Sequence, residues 1–278
     1  MIVTRFAPSP TGYLHLGHVR SAWEGWHLAR EASGRFLVRI EDIDGTRCRR
    51  EFETAILADL AWLGMAGDGP VRRQSDHLDD YAAALERLDG AGVLYPCFCT
   101  RREIQAEIAR AGGAPQGDLG PVYPGTCRHL SPDERAAKVA AGADYALRLD
   151  VSEALGHTGA LEWEERGHPV AAAPQALGDV VLARKDAPVS YHLAVTIDDA
   201  LQGVTLVTRG ADLFAATHVH RLLQALLGLP TPVYRHHKLL TDASGRRLAK
   251  RDKALTVGEM RAAGVSSEEI IRWARSGA

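Results

Sequence analysis

Apolar positions change period several times within the first sixty residues. Residues 2–6 (IVTRF), with Ile2, Val3 and Phe6 apolar, read as a short buried strand. The following PSPTG is a rigid, turn-rich loop, since proline fixes φ and Gly12 permits unusual backbone angles. From about Gly17 the apolar residues Val19, Ala22, Trp23 and Trp26 recur at helical spacing, and Gly34 stops the run. Residues 36–40 (FLVRI) then read as a second strand ending in the acidic cluster Glu41, Asp42 and Asp44. Strand, loop, helix and strand make a βαβ unit, and hence a parallel sheet.

Two further helices are predicted over about 50–63, with Phe52, Ile56, Leu60 and Leu63 on one face, and about 77–91, both covering the sheet. Composition shifts at Tyr95, and AGGAPQGDLGP (111–121) is the most loop-like stretch of the chain. Alternation in DYALRLDV and VVLARKD suits an antiparallel insertion. From Pro188 the text PVSYHLAVTIDDALQGVTLVTRGADL reads as two more strand-like runs around an acidic turn, and THVHRLLQALLGL as a helix after them. This second half is expected to complete the sheet begun at the N-terminus, and the tail from about Thr256 to form a short helical segment.

Composition adds limits. An apolar fraction of 46% over 278 residues suits a globular core and excludes a disordered chain. The start MIVTRFAPSP has no basic patch before a long apolar stretch, and nowhere do about 18 apolar residues run together. The expectation is a soluble, cytoplasmic monomer with no membrane partner. A formal net charge of −2 gives no global pull towards nucleic acid, so any RNA contact must come from a local basic patch. Cys97, Cys99 and Cys127 fall close together, which in a cytosolic protein favours metal over disulfide, whereas Cys48 in TRCRR reads as an incidental thiol.

The segment FAPSPTGYLHLGH puts His15 and His18 three residues apart at a strand-to-helix turn. A helix N-terminus there presents unpaired N–H groups and a positive dipole end, which suits phosphate, and imidazoles beside it can donate to the phosphates of ATP. Alone, an H-x-x-H is more often a helix-starting turn whose histidines are merely packed. PSPTGYLHLGH, however, resembles the HIGH-type motif of class I aminoacyl-tRNA synthetases in the form used by the glutamyl and glutaminyl branch. Downstream, KLLTDASGRRLAKRD resembles that family's KMSKS-type loop, written here as Arg247, Leu248, Ala249, Lys250 and Arg251, with alanine at 249 where a serine is usual. The resemblance extends over most of residues 1–65 and 188–255. It implies a Rossmann-like α/β fold, with residues 1–94 and 188–245 as the halves of the catalytic domain and 95–187 as a zinc-binding, tRNA-contacting insertion. Residues 246–278 would then be the KMSKS-like loop and a helical C-terminal segment. It also implies that Lys250 neutralises phosphate charge as pyrophosphate leaves, and that His15, His18 and Lys250 together bind ATP, with Mg²⁺ on its phosphates, and catalyse adenylation.

An L-glutamate substrate brings two carboxylates and an ammonium, so its pocket should pair arginine with a carboxylate. Arg5 and Glu41 lie at the ends of the first two predicted strands, where ligands bind in open parallel sheets. The resemblance assigns the side-chain carboxylate to Arg5, the α-ammonium region to Ser9 and Glu41, and further contacts to Tyr191 and Arg209 in YHLAVTIDD and TRGADL.

CFC followed by YPGTC offers three thiolates, most of a tetrahedral zinc site, although three buried thiols are the plainer reading of the residues alone. The pattern is similar to the Cys-x-Cys…Tyr-x-x-x-Cys site of glutamyl-Q and bacterial glutamyl enzymes. That implies one structural Zn²⁺ on Cys97, Cys99, Tyr123 and Cys127, with His129 a rival fourth ligand. The chain stops about twenty residues after LAKRD, short of a conventional anticodon-binding region, as in glutamyl-Q tRNA(Asp) synthetases. Such a resemblance implies tRNA-independent activation of glutamate and its transfer to queuosine in the anticodon stem-loop of tRNA(Asp). Arg47, Arg49 and Arg50 are candidate RNA contacts or plain solvated surface. Two rivals are a truncated glutamyl-tRNA synthetase charging a 3′ end and a non-catalytic tRNA-binding paralogue.

Overall fold

A computed structural model describes residues 1–110, 116–117, 120–185, 187–240 and 255–276. Its first unit is the βαβ arrangement expected: β1 (Val3–Phe6), α1 (Leu16–Glu31) and β2 (Arg35–Ile40), with β1 and β2 parallel and Val3 opposite Arg35. Helix α1 crosses back so tightly that a Cβ on Gly34 would lie 2.1 Å from the Ile2 carbonyl oxygen, so the residue opening the return to β2 has to be glycine. Helix α2 (Arg50–Trp62) packs Ile56 and Leu60 against Phe36, Val38 and Ile40, each such buried side chain contributing about 1.5–3 kcal/mol. The two-residue β3 (Arg72–Arg73) adds a third parallel strand beside β2.

Helix α3 (Leu78–Gly90) departs from expectation. Its buried Tyr81, Ala84 and Leu88 join a second apolar cluster built on later helices instead of covering the first sheet. The insertion begins with β4 (Leu94–Cys97) and α4 (Arg101–Arg110), then a two-residue pair β5 (Gln116–Gly117) and β6 (Gly120–Pro121). The rest of AGGAPQGDLGP lies outside the described residues. Helix α5 (Pro132–Ala140), β7 (Ala146–Leu149) and α6 (Val151–Thr158) follow, then the hairpin β8 (Glu162–Glu165) and β9 (His168–Ala171), and β10 (Val181–Arg184). Strand β7 pairs antiparallel with both β4 and β10, the sheet that the alternation predicts.

The reading of 188–213 as two strands needs correction. YHLAVTIDDAL is a helix, α7 (Tyr191–Leu201), and only the second run forms a strand, β11 (Leu206–Gly210). The reason is burial: every residue from Leu193 to Asp199 is enclosed, so no polar face marks the 3.6-residue period, and a short apolar run fits helix and strand alike. After α8 (Ala216–Leu226), β12 (Val233–His237) lies parallel to β11. The second half meets the first at β1, where the Thr205 N–H donates to the Val3 carbonyl (2.9 Å) and the Val3 N–H to Thr205 Oγ1 (2.9 Å). Helices α9 (Val257–Ala262) and α10 (Ser267–Ser276) close the first core, burying Val257, Met260, Ile270 and Ala274. No described helix is long and apolar enough to cross a membrane.

Candidate active site and metal centre

The carboxyl ends of the parallel strands converge on one cleft of about 510 Å³. Arg5 comes from β1, Glu41 follows β2, Arg209 lies on β11 and His237 ends β12, the position at which open parallel sheets bind ligands. Ser9, His15, His18 and Tyr191 line the same cleft. Lys250 and the Ala249 substitution fall outside the described residues. The flanks of that segment are at the site, since Leu239 and Leu240 line the cleft and Thr256 forms an antiparallel bridge with His15.

The α1 terminus corrects one expectation. Its N–H groups are not all left for a ligand, because the histidines use them: His15 Nδ1 accepts from the Gly17 N–H (3.1 Å) and His18 Nδ1 from the His15 N–H (3.3 Å). Both Nδ1 atoms being acceptors, each neutral ring carries its proton on Nε2. The rings lie 3.8 Å apart between centroids, so the helix cap also fixes two ring N–H groups side by side. Gly17 permits this, since a Cβ there would stand 3.0 Å from His15 Cε1.

Arg5 and Glu41 belong to one buried ionic network that the sequence reading did not anticipate. Asp199 on α7 accepts from Arg5 Nε (2.9 Å), Arg5 Nη2 (3.3 Å) and Arg39 Nη1 (2.8 Å), and Arg39 Nη2 donates to Glu41 (3.2 Å). Arg5 Nη1 also donates to the Thr208 carbonyl (3.2 Å), which commits three of its five N–H groups and leaves two. Burial pushes the Glu41 carboxyl up from its ordinary value, while Arg39 and Arg5 oppose the rise. Asp199, just as enclosed, is held below its ordinary value: burial works against ionisation, but Arg5 and Arg39 outweigh it. The preceding residue, Asp198, accepts from Arg72, Gln74 and Tyr81, tying α7 to α3 and the segment before it, and also lies 3.7 Å from Arg39 Nε.

Arg209 is held differently. Its partners are Thr217 Oγ1 (2.6 Å), His236 Nε2 (3.1 Å), His220 Nδ1 (3.2 Å) and the Tyr191 hydroxyl (3.3 Å), all neutral groups. Burial, and then the charge of Arg209, lowers His220 well below the ordinary histidine value and brings His192 and His236 to about 4. As acceptors from Arg209, the neutral rings of His236 and His220 pass their remaining N–H to Glu165 (2.8 Å) and His192 (3.1 Å). Arg5 thus meets a carboxylate that it shares with Arg39, whereas Arg209 has none in salt-bridge contact among the described residues and presents its charge to the cleft. Its supporting histidines stand 11 and 27 residues from it, with no motif to announce them.

A second cleft of about 840 Å³ opens from the first and shares Ser9, Thr11, Glu41 and Tyr191 with it. Its outer wall carries Arg47, Arg101 and Arg184. Of the arginines proposed as RNA contacts, Arg47 lines this cleft, paired to Asp44 at 2.6 Å, and Arg49 and Arg50 are not among its lining residues.

The cysteine cluster closes as the spacing predicts. Sγ atoms of Cys97, Cys99 and Cys127 all lie within 4.8 Å of one another, and Cys99 and Cys127 are 3.4 Å apart. Tyr123 Oη stands 3.3 Å from Cys97 Sγ and 3.6 Å from Cys99 Sγ, while His129 is exposed and outside the cluster. A tetrahedral zinc with ~2.3 Å bonds to sulfur has S···S edges of ~3.8 Å, so the donors sit close to the required spacing. Burial above all, opposed by Tyr123 but reinforced by the neighbouring sulfurs, pushes the Cys99 thiol up to about 12, a cost that a bound dication would offset. The cluster could hold one metal ion.

A parallel sheet with histidines capping its first crossover helix, a charged cleft across its strand ends and an inserted cluster of three cysteines fits the catalytic domain of a class I tRNA synthetase. The chain belongs to that family: the model for tRNA synthetases class I (E and Q), catalytic domain, matches residues 1–276. It is 51% identical to the Glutamyl-Q tRNA(Asp) synthetase of Rhodobacter capsulatus, over 98% of this chain and 99% of that protein. It is 38% identical to the Glutamate–tRNA ligase of Aquifex aeolicus, again over 98% of this chain but only 56% of that one. Among solved structures, a glutamate tRNA ligase from Elizabethkingia meningosepticum in complex with its amino acid matches with a TM-score of 0.74 at 30% identity. That match covers 90% of this chain, which spans about half (52%) of the ligase.

Proposed function

We propose that this chain activates L-glutamate with ATP, without needing tRNA, and transfers the glutamyl group to queuosine in the anticodon loop of tRNA(Asp). The observation that carries this reading is one cleft joining a histidine-capped helix start to two arginines and a carboxylate, in a chain that matches the R. capsulatus enzyme over nearly its full length. The glutamate side-chain carboxylate meets the two uncommitted N–H groups of Arg5 and the uncompensated charge of Arg209, with Tyr191 beside them. Glu41 and Ser9 take the α-ammonium. The α-carboxylate then attacks the α-phosphorus of Mg²⁺-bound ATP, the bond to the bridging oxygen breaks and pyrophosphate leaves. Nε2–H groups of His15 and His18 donate to phosphate oxygens as charge develops, and Lys250 neutralises the departing pyrophosphate.

For transfer, the second cleft receives the anticodon loop, its three arginines meeting phosphates. A hydroxyl of the queuosine cyclopentene-diol attacks the mixed-anhydride carbonyl carbon, and AMP departs with the bonding electrons. We assign zinc to the cysteine cluster, where it joins β4 to the 123–127 segment and so steadies the insertion. Both clefts are built from one chain, and we take the monomer as the working unit.

Transfer of radiolabelled glutamate to queuosine-containing tRNA(Asp), the same tRNA without queuosine and tRNA(Glu) tests the reading. Label is expected only on the first, and nuclease mapping is expected to place it on the wobble nucleoside. Label on the 3′-terminal adenosine or on tRNA(Glu) would identify a glutamyl-tRNA synthetase instead, and absence of glutamate-dependent ATP–pyrophosphate exchange would identify a non-catalytic paralogue.

A further inference from the structure

Three thiolates and a phenolate around a divalent ion leave a net charge of −2 in a half-buried site. One cation stands against this set. The Arg148 guanidinium carbon lies 3.8 Å from the centroid of the Tyr123 ring, the shortest cation–ring approach among the described residues. Arg148 is on β7 between Tyr95 of β4 and Val181 of β10, and its Nη1 donates to the Asp179 carbonyl at 2.6 Å, which holds the guanidinium in place. Its Nε is buried with no hydrogen-bond partner, and the guanidinium also makes a side-chain contact to Cys97, which brings it against the cysteine set from a second side. The Asp179 carboxylate is spent on Tyr95 (2.6 Å), Arg128 (3.2 Å) and the Val151 N–H (3.1 Å), and makes no hydrogen bond to Arg148.

Resting on the assignment of zinc to the cysteine cluster, we propose that Arg148 is the positioning residue that makes Tyr123 a metal ligand. With its guanidinium carbon 3.8 Å from the ring centroid, it fixes the ring's rotation so that the oxygen faces Cys97 and Cys99. The Cys127 N–H, donating to the same oxygen (2.9 Å), holds that oxygen in the same place. The consequence reaches the second cleft, because Val181, across the ladder from Arg148, is one of its walls.

The test is zinc affinity, measured by chelator competition on the wild type, Arg148→Gln, Arg148→Lys, Tyr123→Phe and the double variant Tyr123→Phe/Arg148→Gln. Arg148→Gln is expected to weaken zinc binding about 10–100-fold, as losses of groups supporting a metal ligand do. Arg148→Lys, which keeps the charge but loses the planar guanidinium, should fall between. In the Tyr123→Phe background the Arg148→Gln change should have little further effect, and the phenolate absorbance that zinc induces in the wild type should fall in Arg148→Gln at saturating zinc. Equal losses in both backgrounds would make Arg148 a general structural residue, and no loss in either would remove it from the site; both overturn the proposal while leaving the zinc assignment intact. A wild-type protein that takes up no zinc would overturn both.

Discussion

Asp199→Asn is the substitution that most directly tests how the proposed glutamate cleft is held. The change is nearly isosteric, yet it removes the one carboxylate shared by Arg5 and Arg39 and sets an amide N–H against guanidinium donors that are only 4% and 0% exposed. Breaking a buried ion pair from one side costs about 3–5 kcal/mol, since the remaining charge is left enclosed. Part of this should appear as stability, a fall in Tm on the order of 10 °C for a chain of this size. The rest should appear at the substrate: the amide keeps one accepting oxygen, so Arg5 loses at least one of its three anchors and the charge that holds it, and Glu41 loses the fixed position of its partner Arg39. Displacement of both groups by about 1 Å predicts a rise of roughly 100-fold in KM for glutamate, with KM for ATP almost unchanged. Glutamate-dependent ATP–pyrophosphate exchange at varied glutamate and varied ATP separates the two. Asp198→Asn is the comparison, since its hydrogen bonds go to Arg72, Gln74 and Tyr81, away from the cleft, and it meets Arg39 only at 3.7 Å; it should lower Tm and raise KM for glutamate far less than Asp199→Asn does. Equal glutamate effects from the two variants, or an Asp199→Asn protein with normal KM for glutamate, would show that the network only holds the fold.

Other consequences follow from the same geometry. Gly17→Ala places a Cβ against the His15 ring, so KM for ATP in the exchange assay should rise about tenfold while glutamate binding, measured by calorimetry without ATP, stays near wild type. Arg209→Lys keeps the charge but cannot hold Thr217, His220 and His236 together, and should raise KM for glutamate by at least about tenfold. His192 has a folded value near 4 against 6.5 when unfolded, so the unfolded chain binds more protons between those limits; its contribution, at most about 3 kcal/mol, is complete above pH 6.5 and is lost as pH falls towards 4. Urea unfolding of His192→Gln should therefore show a flatter stability profile over that interval than the wild type. Stripping metal with a chelator should leave Cys97, Cys99 and Cys127 titratable and lower Tm, with zinc restoring both.

Much of the site could be read from the chain itself because its chemistry is local in sequence. His15 and His18 lie one helical turn apart, Arg5 and Glu41 end the first two strands of a βαβ unit whose period changes are plain, and Cys97 and Cys99 sit in one short strand end. Residue type and spacing determine such features, since side chains a few positions apart share a helix turn or strand end whatever the rest of the molecule does. Tertiary structure alone decided the rest. Asp199 meets Arg5 across 194 positions and Arg39 across 160, and only burial turned 191–201 into the helix that brings it there. The neutral histidines around Arg209 and the arginine over Tyr123 arise likewise from packing between elements distant in the chain. In a low-dielectric interior each buried charge requires its partner wherever the fold supplies one, and no local pattern records which residue that will be.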